Sequence, residues 1–356
     1  MKTYRIEPGD TLQSMSEKFG ITPVELKAFH NTRCELKDLI GGNDFPKHLN
    51  EILIDENWKE VSIELIKSDD DKEVEKIEFE HQARYRCEQN NLILIDGKPS
   101  FSAQIKTQYL LSKNKSASNY KLNVQLEDYV TSIQPQNMEE AFDLIKHIEL
   151  IRDNISFVYH NGKIEKILNF NDLNKKWNIF INETSTSVPF FNELKSKSPE
   201  IINDFIENGK KEFSNENIFC DVISKNLFFH LLLDIYNKEK KDEYSFSQMS
   251  QIFPEVLLKI NVVKTLVCDN ENSTTYRLVG NLNKDSVKMN AIKNLYEQLY
   301  QPIIKFSFTE FDFIYRITYE LEKETNVLLN ASVSIKESVK NNYDVITKYE
   351  LRKVEL

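Results

Sequence analysis

The chain has 356 residues, 46 of them basic and 56 acidic, for a formal net charge of −10. That field, with no local stripe of lysine or arginine against it, excludes a protein that grips nucleic acid by its phosphates. Only 8 glycines and 9 prolines exclude collagen-like or linker-rich architectures, while 40% hydrophobic and 29% charged residues are enough to bury a real core in two or three domains.

The first elements are short and well punctuated. Tyr4 and Ile6 alternate as a strand, and Pro8-Gly9-Asp10 is a turn. Thr11 is placed to cap a helix carrying Leu12, Met15 and Phe19 at helical spacing, which Gly20 ends. Thr22-Pro23-Val24-Glu25 opens a second helix with a capping residue, Pro at the first position and Glu at the third. Leu26 and Phe29 face its core, and Ile52 and Ile54 supply a return strand.

The strings Gly9-Asp10-Thr11-Leu12 and Phe19-Gly20-Ile21-Thr22, with Leu26 and Asn31, make residues 1–54 resemble a LysM domain. The resemblance implies a β-α-α-β module over residues 1–56 that binds glycans containing N-acetylglucosamine, such as peptidoglycan. The family's groove lies between the loop after the first strand and the loop before the last. Here those loops supply Gly9, Asp10, Thr11, Leu12, Ile40, Gly41, Gly42 and Asn43. The second loop departs from the pattern, because Leu39 to His48 is longer than the family's short proline-glycine turn. That departure, in a chain without a leader-like segment, weakens the glycan reading. Glycan binding and docking on a protein partner, the use made of LysM modules in contractile tails and secretion systems, both stay open, and the expected compartment tilts toward docking.

From residue 57 the chain reads as a β-rich α+β domain with a helical middle, about 137–300, forming either one domain or two sub-domains. Ile77, Phe79, His81, Ala83, Tyr85 and Cys87 share one face of a strand whose other face is charged. Phe101 to Leu111 and Tyr120 to Leu126 repeat the alternation, with a turn at Asp96-Gly97-Lys98-Pro99. The spacing then predicts helices over 137–154, 171–182, 189–211, 216–237 and 286–301, with a hairpin around His160-Asn161-Gly162. Phe311 to Leu321, Val327 to Ile335 and Tyr343 to Leu351 form a second set of strands. The fold class expected is therefore α+β: the N-terminal module, then a large curved antiparallel sheet with packed helices. Its strands loosely resemble the half-barrels of bacterial lipoprotein carriers, in architecture alone. An aromatic inner face is expected to be a well-filled core, with a ligand cavity as the alternative.

Catalytic signatures are missing. There is no nucleophile elbow, phosphate-binding loop, dinucleotide fingerprint or H-E-x-x-H zinc motif. The histidines are scattered, His81 and His230 reading as core residues on apolar faces, and Cys34, Cys87, Cys220 and Cys268 read as isolated thiols. Ser68-Asp69-Asp70-Asp71-Lys72 has the charge of a calcium loop without its glycine or terminal Glu. No metal, cofactor or catalytic residue is expected. Without a leader-like segment or a run of about 18 apolar residues, the expected location is the cytoplasm, with no membrane span; periplasm or cell wall would follow for a chain whose leader was removed. The function expected is a non-enzymatic adaptor with a LysM docking module and a β-rich protein-binding body, a component or cargo adaptor of a contractile, type VI-like secretion system. The alternatives are a peptidoglycan-binding cell-wall protein and a hydrophobic-ligand carrier.

Overall fold

Hydrophobic alternation and helical periodicity shape the computed structural model much as the side-chain pattern demands. It describes residues 2–6, 10–19, 21–34, 38, 40, 45–46, 49–58, 81–115, 120–185, 188–235, 237 and 241–355. The chain forms two units, Met1–Lys76 and Ile77–Leu356. The calcium-loop look-alike at 68–72 and the start of the strand expected from Ile77 lie outside the described residues.

In the first unit β1 (Lys2–Arg5) pairs antiparallel with β2 (Glu51–Ile54), and α1 (Leu12–Lys18) and α2 (Pro23–Asn31) lie between them in sequence. Thr11 Oγ1 accepts from the Ser14 N–H at 3.0 Å and Ser14 Oγ accepts from the Thr11 N–H at 2.9 Å, a reciprocal cap. Thr22 and Glu25 form the capping box over Pro23. Leu12, Met15, Phe19, Leu26, Ile40, Ile52 and Ile54 make the core.

The second unit is built on one antiparallel sheet of eleven strands. Its members are β3 (His81–Ile95), β4 (Lys98–Lys115), β5 (Tyr120–Gln134), β6 (Asn154–His160), β7 (Lys163–Ile167), β8 (Glu243–Met249), β9 (Leu257–Asp269), β10 (Ser273–Leu282), β11 (Phe311–Glu322), β12 (Leu328–Val339) and β13 (Tyr343–Val354). Their spatial order is β7-β6-β5-β4-β3-β13-β12-β11-β10-β9-β8. The two strand sets are thus halves of one sheet, joined where β13 runs against β3 from Tyr343↔Ile95 to Val354↔Arg84.

The helices are α3 (Glu139–Ile151), α4 (Phe170–Ile179), α5 (Pro189–Lys197), α6 (Pro199–Ser214), α7 (Glu216–Ile223), α8 (Leu227–Ile235), α9 (Met289–Leu299) and α10 (Gln301–Ile304). Two of the expected long helices are broken. Pro199 disfavours helical backbone at Ser198, so 189–211 becomes α5 and α6. Asn226 turns the chain between α7 and α8, its side chain accepting from the Phe228 N–H at 2.9 Å. Phe191, Ile202 and Phe213 are buried, so this helical pair packs down. The expectation of a helical middle reaching residue 300 is corrected, because β8, β9 and β10 occupy 243–282. The alternation of Leu258, Ile260 and Val262, all buried, is what makes that stretch a strand. His81 is corrected too: it opens β3 and is exposed.

Aromatic rings fill the space between sheet and helices. Phe228 of α8 stacks on Tyr109 at 4.3 Å and meets Tyr85 edge-on at 5.7 Å. Trp177 of α4 stacks on Phe213 of α6 at 5.2 Å. This fit depends on Gly209, where a Cβ would lie 2.2 Å from the Trp177 ring. A carboxylate anchors the loop between β8 and β9. Glu337, on the inner face of β12 and 1% exposed, accepts from Ser250 Oγ at 2.7 Å, the Gln251 N–H at 2.9 Å and the Ile252 N–H at 3.2 Å. Burial raises its pKa, outweighing the lowering by these donors.

Two predictions follow from this packing. Gly209→Ala gains about 1 kcal/mol of helix propensity but overpacks the Trp177 ring, at a cost of about 1–3 kcal/mol; thermal unfolding should show a net fall in midpoint. Glu337→Ala should cost about 3 kcal/mol, since three donors lose their acceptor. A pKa raised in the folded state gives stability that is full below the unfolded carboxylate pKa and is lost as pH rises through the folded value. Denaturant titrations should therefore show the native chain gaining on Glu337→Gln as pH falls toward the ordinary carboxylate value of about 4.5.

Candidate functional site

Four of the residues expected from the LysM resemblance, Gly9, Gly41, Gly42 and Asn43, lie outside the described residues. The other four divide by burial. Leu12 and Ile40 point into the core of the first unit, 4% and 0% exposed, so their side chains hold the fold. Asp10 is half-buried and Thr11 exposed, the latter engaged in its cap with Ser14. Asn31 pins the second loop at Ile40: its Oδ1 accepts from the Ile40 N–H at 2.9 Å and its Nδ2 donates to the Ile40 carbonyl at 3.0 Å. Asn31 thus holds the backbone at Ile40.

A second candidate site, without a motif to announce it, lies on the inner face of the large sheet. A cavity of about 850 Å³ opens between the middle strands and the helices, within the range of small-molecule sites. Its floor is built by period-two geometry. Gln89, Asn91 and Ile93 of β3 share the inner face, beside Phe101, Ile105 and Thr107 of β4 and Val345, Thr347 and Tyr349 of β13. Ile145, Glu149 and Arg152, on α3 and just beyond its end, line one side. The turn from α7 to α8 contributes Ser224, Lys225 and Asn226, and the β8 end contributes Phe246 and Met249. Ile145 and Met249 stand at the lips, 46% and 50% exposed.

Several of the ionisable groups here are held by one another. Arg152 bonds Glu149 at 2.7 Å and Glu212 of α6 at 2.5 Å. Burial raises the Glu212 pKa against the lowering effect of Arg152. His230 and the Tyr315 hydroxyl are 2.8 Å apart, and burial pushes Tyr315 well above the ordinary phenol range. His230, expected as a satisfied core residue on an apolar face, is half-buried and hydrogen-bonded to Tyr315. Cys87, under the floor, is raised to about 12 by burial, so its thiol stays protonated at neutral pH and is a poor nucleophile. Among the described residues no group of three metal-ligating side chains converges, and all four cysteines are free. The arrangement can enclose and hydrogen-bond a ligand. Among the described residues it offers no activated nucleophile with a base beside it.

The opposite face of the same strands is polar. Arg84 pairs with Glu127 at 2.7 Å, and Gln108 Nε2 donates to the same carboxylate at 2.9 Å. Hydrogen bonds from Arg84 hold the Glu127 pKa low. No described helix is long and apolar enough to cross a membrane.

The cavity was not legible as a site because its polar members are spread over β3, β4, β13 and two helical turns. The available signal was the break in the apolar face at Gln89 and Asn91, following Ala83, Tyr85 and Cys87.

No protein-family model matches the chain, and no curated protein matches it in sequence. Among solved structures, one concerned with lipid–protein interactions in lipovitellin aligns over 77% of this chain and 25% of its own, at 10% identity and a TM-score of 0.36. This chain thus spans about a quarter of that one, and a likeness so distant carries no functional argument.

Proposed function

We propose that the Ile77–Leu356 unit is a non-catalytic binding body that holds a small amphipathic molecule on the inner face of its sheet. The observation that carries this reading is the cavity of about 850 Å³, which the aromatic core leaves unfilled and which exposed Ile145 and Met249 flank. The charged groups that line the cavity from α3 are already engaged with each other, which favours enclosure over chemistry. Native mass spectrometry of protein taken from its own host should find a bound small molecule. Ile105→Trp, which fills the floor, should abolish it and lower affinity for the fluorescent probe 1-anilinonaphthalene-8-sulfonate at least tenfold, with the unfolding midpoint retained. An unchanged probe affinity in that variant would remove the cavity from consideration.

A second reading concerns the first unit, whose β-α-α-β order and Asn31 clamp at Ile40 favour a LysM-like docking module. Its target is a protein of a larger assembly, such as a contractile secretion system, or a peptidoglycan glycan. Sedimentation with purified peptidoglycan separates the two. Docking on protein leaves the chain in the supernatant, whereas glycan binding pellets it and Asp10→Ala reduces the pelleted fraction severalfold.

A further inference from the structure

The inner face of the sheet carries a polar interruption at its centre. Gln89 and Asn91 lie two residues apart on β3 and therefore side by side on the inner face. Asn91 stands opposite Thr347 of β13 in the register. Asn91 Oδ1 accepts from Gln89 Nε2 at 3.1 Å and from Thr347 Oγ1 at 3.0 Å. Both amides and the threonine line the cavity. That leaves Gln89 Oε1 and Asn91 Nδ2 without a protein partner among the described residues. The pair thus shows the cavity one acceptor and one donor, and it would do so whichever way both amides were turned.

We infer that the ligand carries a neutral group that both donates and accepts a hydrogen bond, an amide or a hydroxyl, seated on Gln89 and Asn91 with its apolar body against Phe101, Ile105 and Tyr129. The inference rests on the cavity reading above. A donor–acceptor pair matches an amide or alcohol on both atoms, whereas a carboxylate leaves Gln89 Oε1 facing an acceptor and a quaternary ammonium leaves both unmet. The apolar flank is continuous. Phe101 stacks on Phe142 of α3 at 5.9 Å, and Ile105 is opposite Gln89 in the β3–β4 register.

Calorimetric titration of the full chain with four twelve-carbon probes tests this: dodecanamide and dodecanol, each below its solubility limit, and dodecanoate and dodecyltrimethylammonium, each below its micelle concentration. The amide and the alcohol should bind at least tenfold more tightly than the two ions. Asn91→Leu, and independently Gln89→Leu, should bring all four within threefold of one another while binding persists. Thermal unfolding establishes that each variant is folded, and either variant alone suffices. Dodecanoate or the ammonium binding as tightly as the amide would overturn the head-group assignment and leave the cavity reading standing. Equal affinities in the native chain would mean that the amide pair faces water only, which also overturns it. Failure of all four probes to bind would sink the cavity reading and this inference with it.

Discussion

The pairing of β13 with β3 is the constraint on which the larger unit depends. Two meanders, β3–β5 and β11–β13, would each offer a separate apolar face to be covered. Antiparallel pairing from Tyr343↔Ile95 to Val354↔Arg84 puts both faces in one plane and in phase. Because side chains alternate with a period of two, a slip of one residue would turn Tyr349 and Leu351 to the wet side and bring Lys348 and Glu350 inward. The register is therefore held by burial as much as by its backbone hydrogen bonds.

With the sheet continuous, the helices cover its inner face unevenly. Phe228 wedges against Tyr85 and Tyr109, and the stacked Trp177 and Phe213 extend the same aromatic layer through α4 and α6. Packing there is close enough that Gly209 has no room for a methyl group. Toward Asn91 and Thr347 the cover thins, and the inner-face residues change from Tyr and Cys to Gln, Asn and Thr. Glu337 closes the far side by holding the loop after β8, a buried carboxylate whose raised pKa records how dry that corner is. Cavity and core are therefore two parts of one face, distinguished by which side chains the helices reach.

Electrostatics gives the two faces different uses. On the outside, charges such as Arg84 and Glu127 pair across strands in contact with water, where each pair contributes little to stability. On the inside, Arg152 ties the end of α3 to α6 through Glu212, and losing either partner would strand a largely desolvated charge. That tie fixes the helical wall beside the cavity. The neutral amides on the floor keep their remaining hydrogen-bonding capacity.

Much of the local structure was legible in the sequence. Thr22-Pro23-Val24-Glu25 announced a capped helix, and the alternation through Tyr85, Tyr109 and Tyr315 announced wet-faced strands, because caps and burial periods are short-range properties. The breaks at Ser198 and Asn226 were signalled by Pro199 and by an Asn before an apolar run, and long-period amphipathicity masked them. Strands β8 to β10 carried their period-two signal inside a stretch dominated by helical patterns. Tertiary structure alone decided that β3 neighbours β13, that Asn91 meets Thr347, and that Arg152 meets Glu212. Those contacts join residues far apart in the chain, and no local periodicity encodes which strand edge will find which. Whether an aromatic face is filled or hollow depends on where the helices come to rest over it, a balance of packing across the whole unit that no single segment contains.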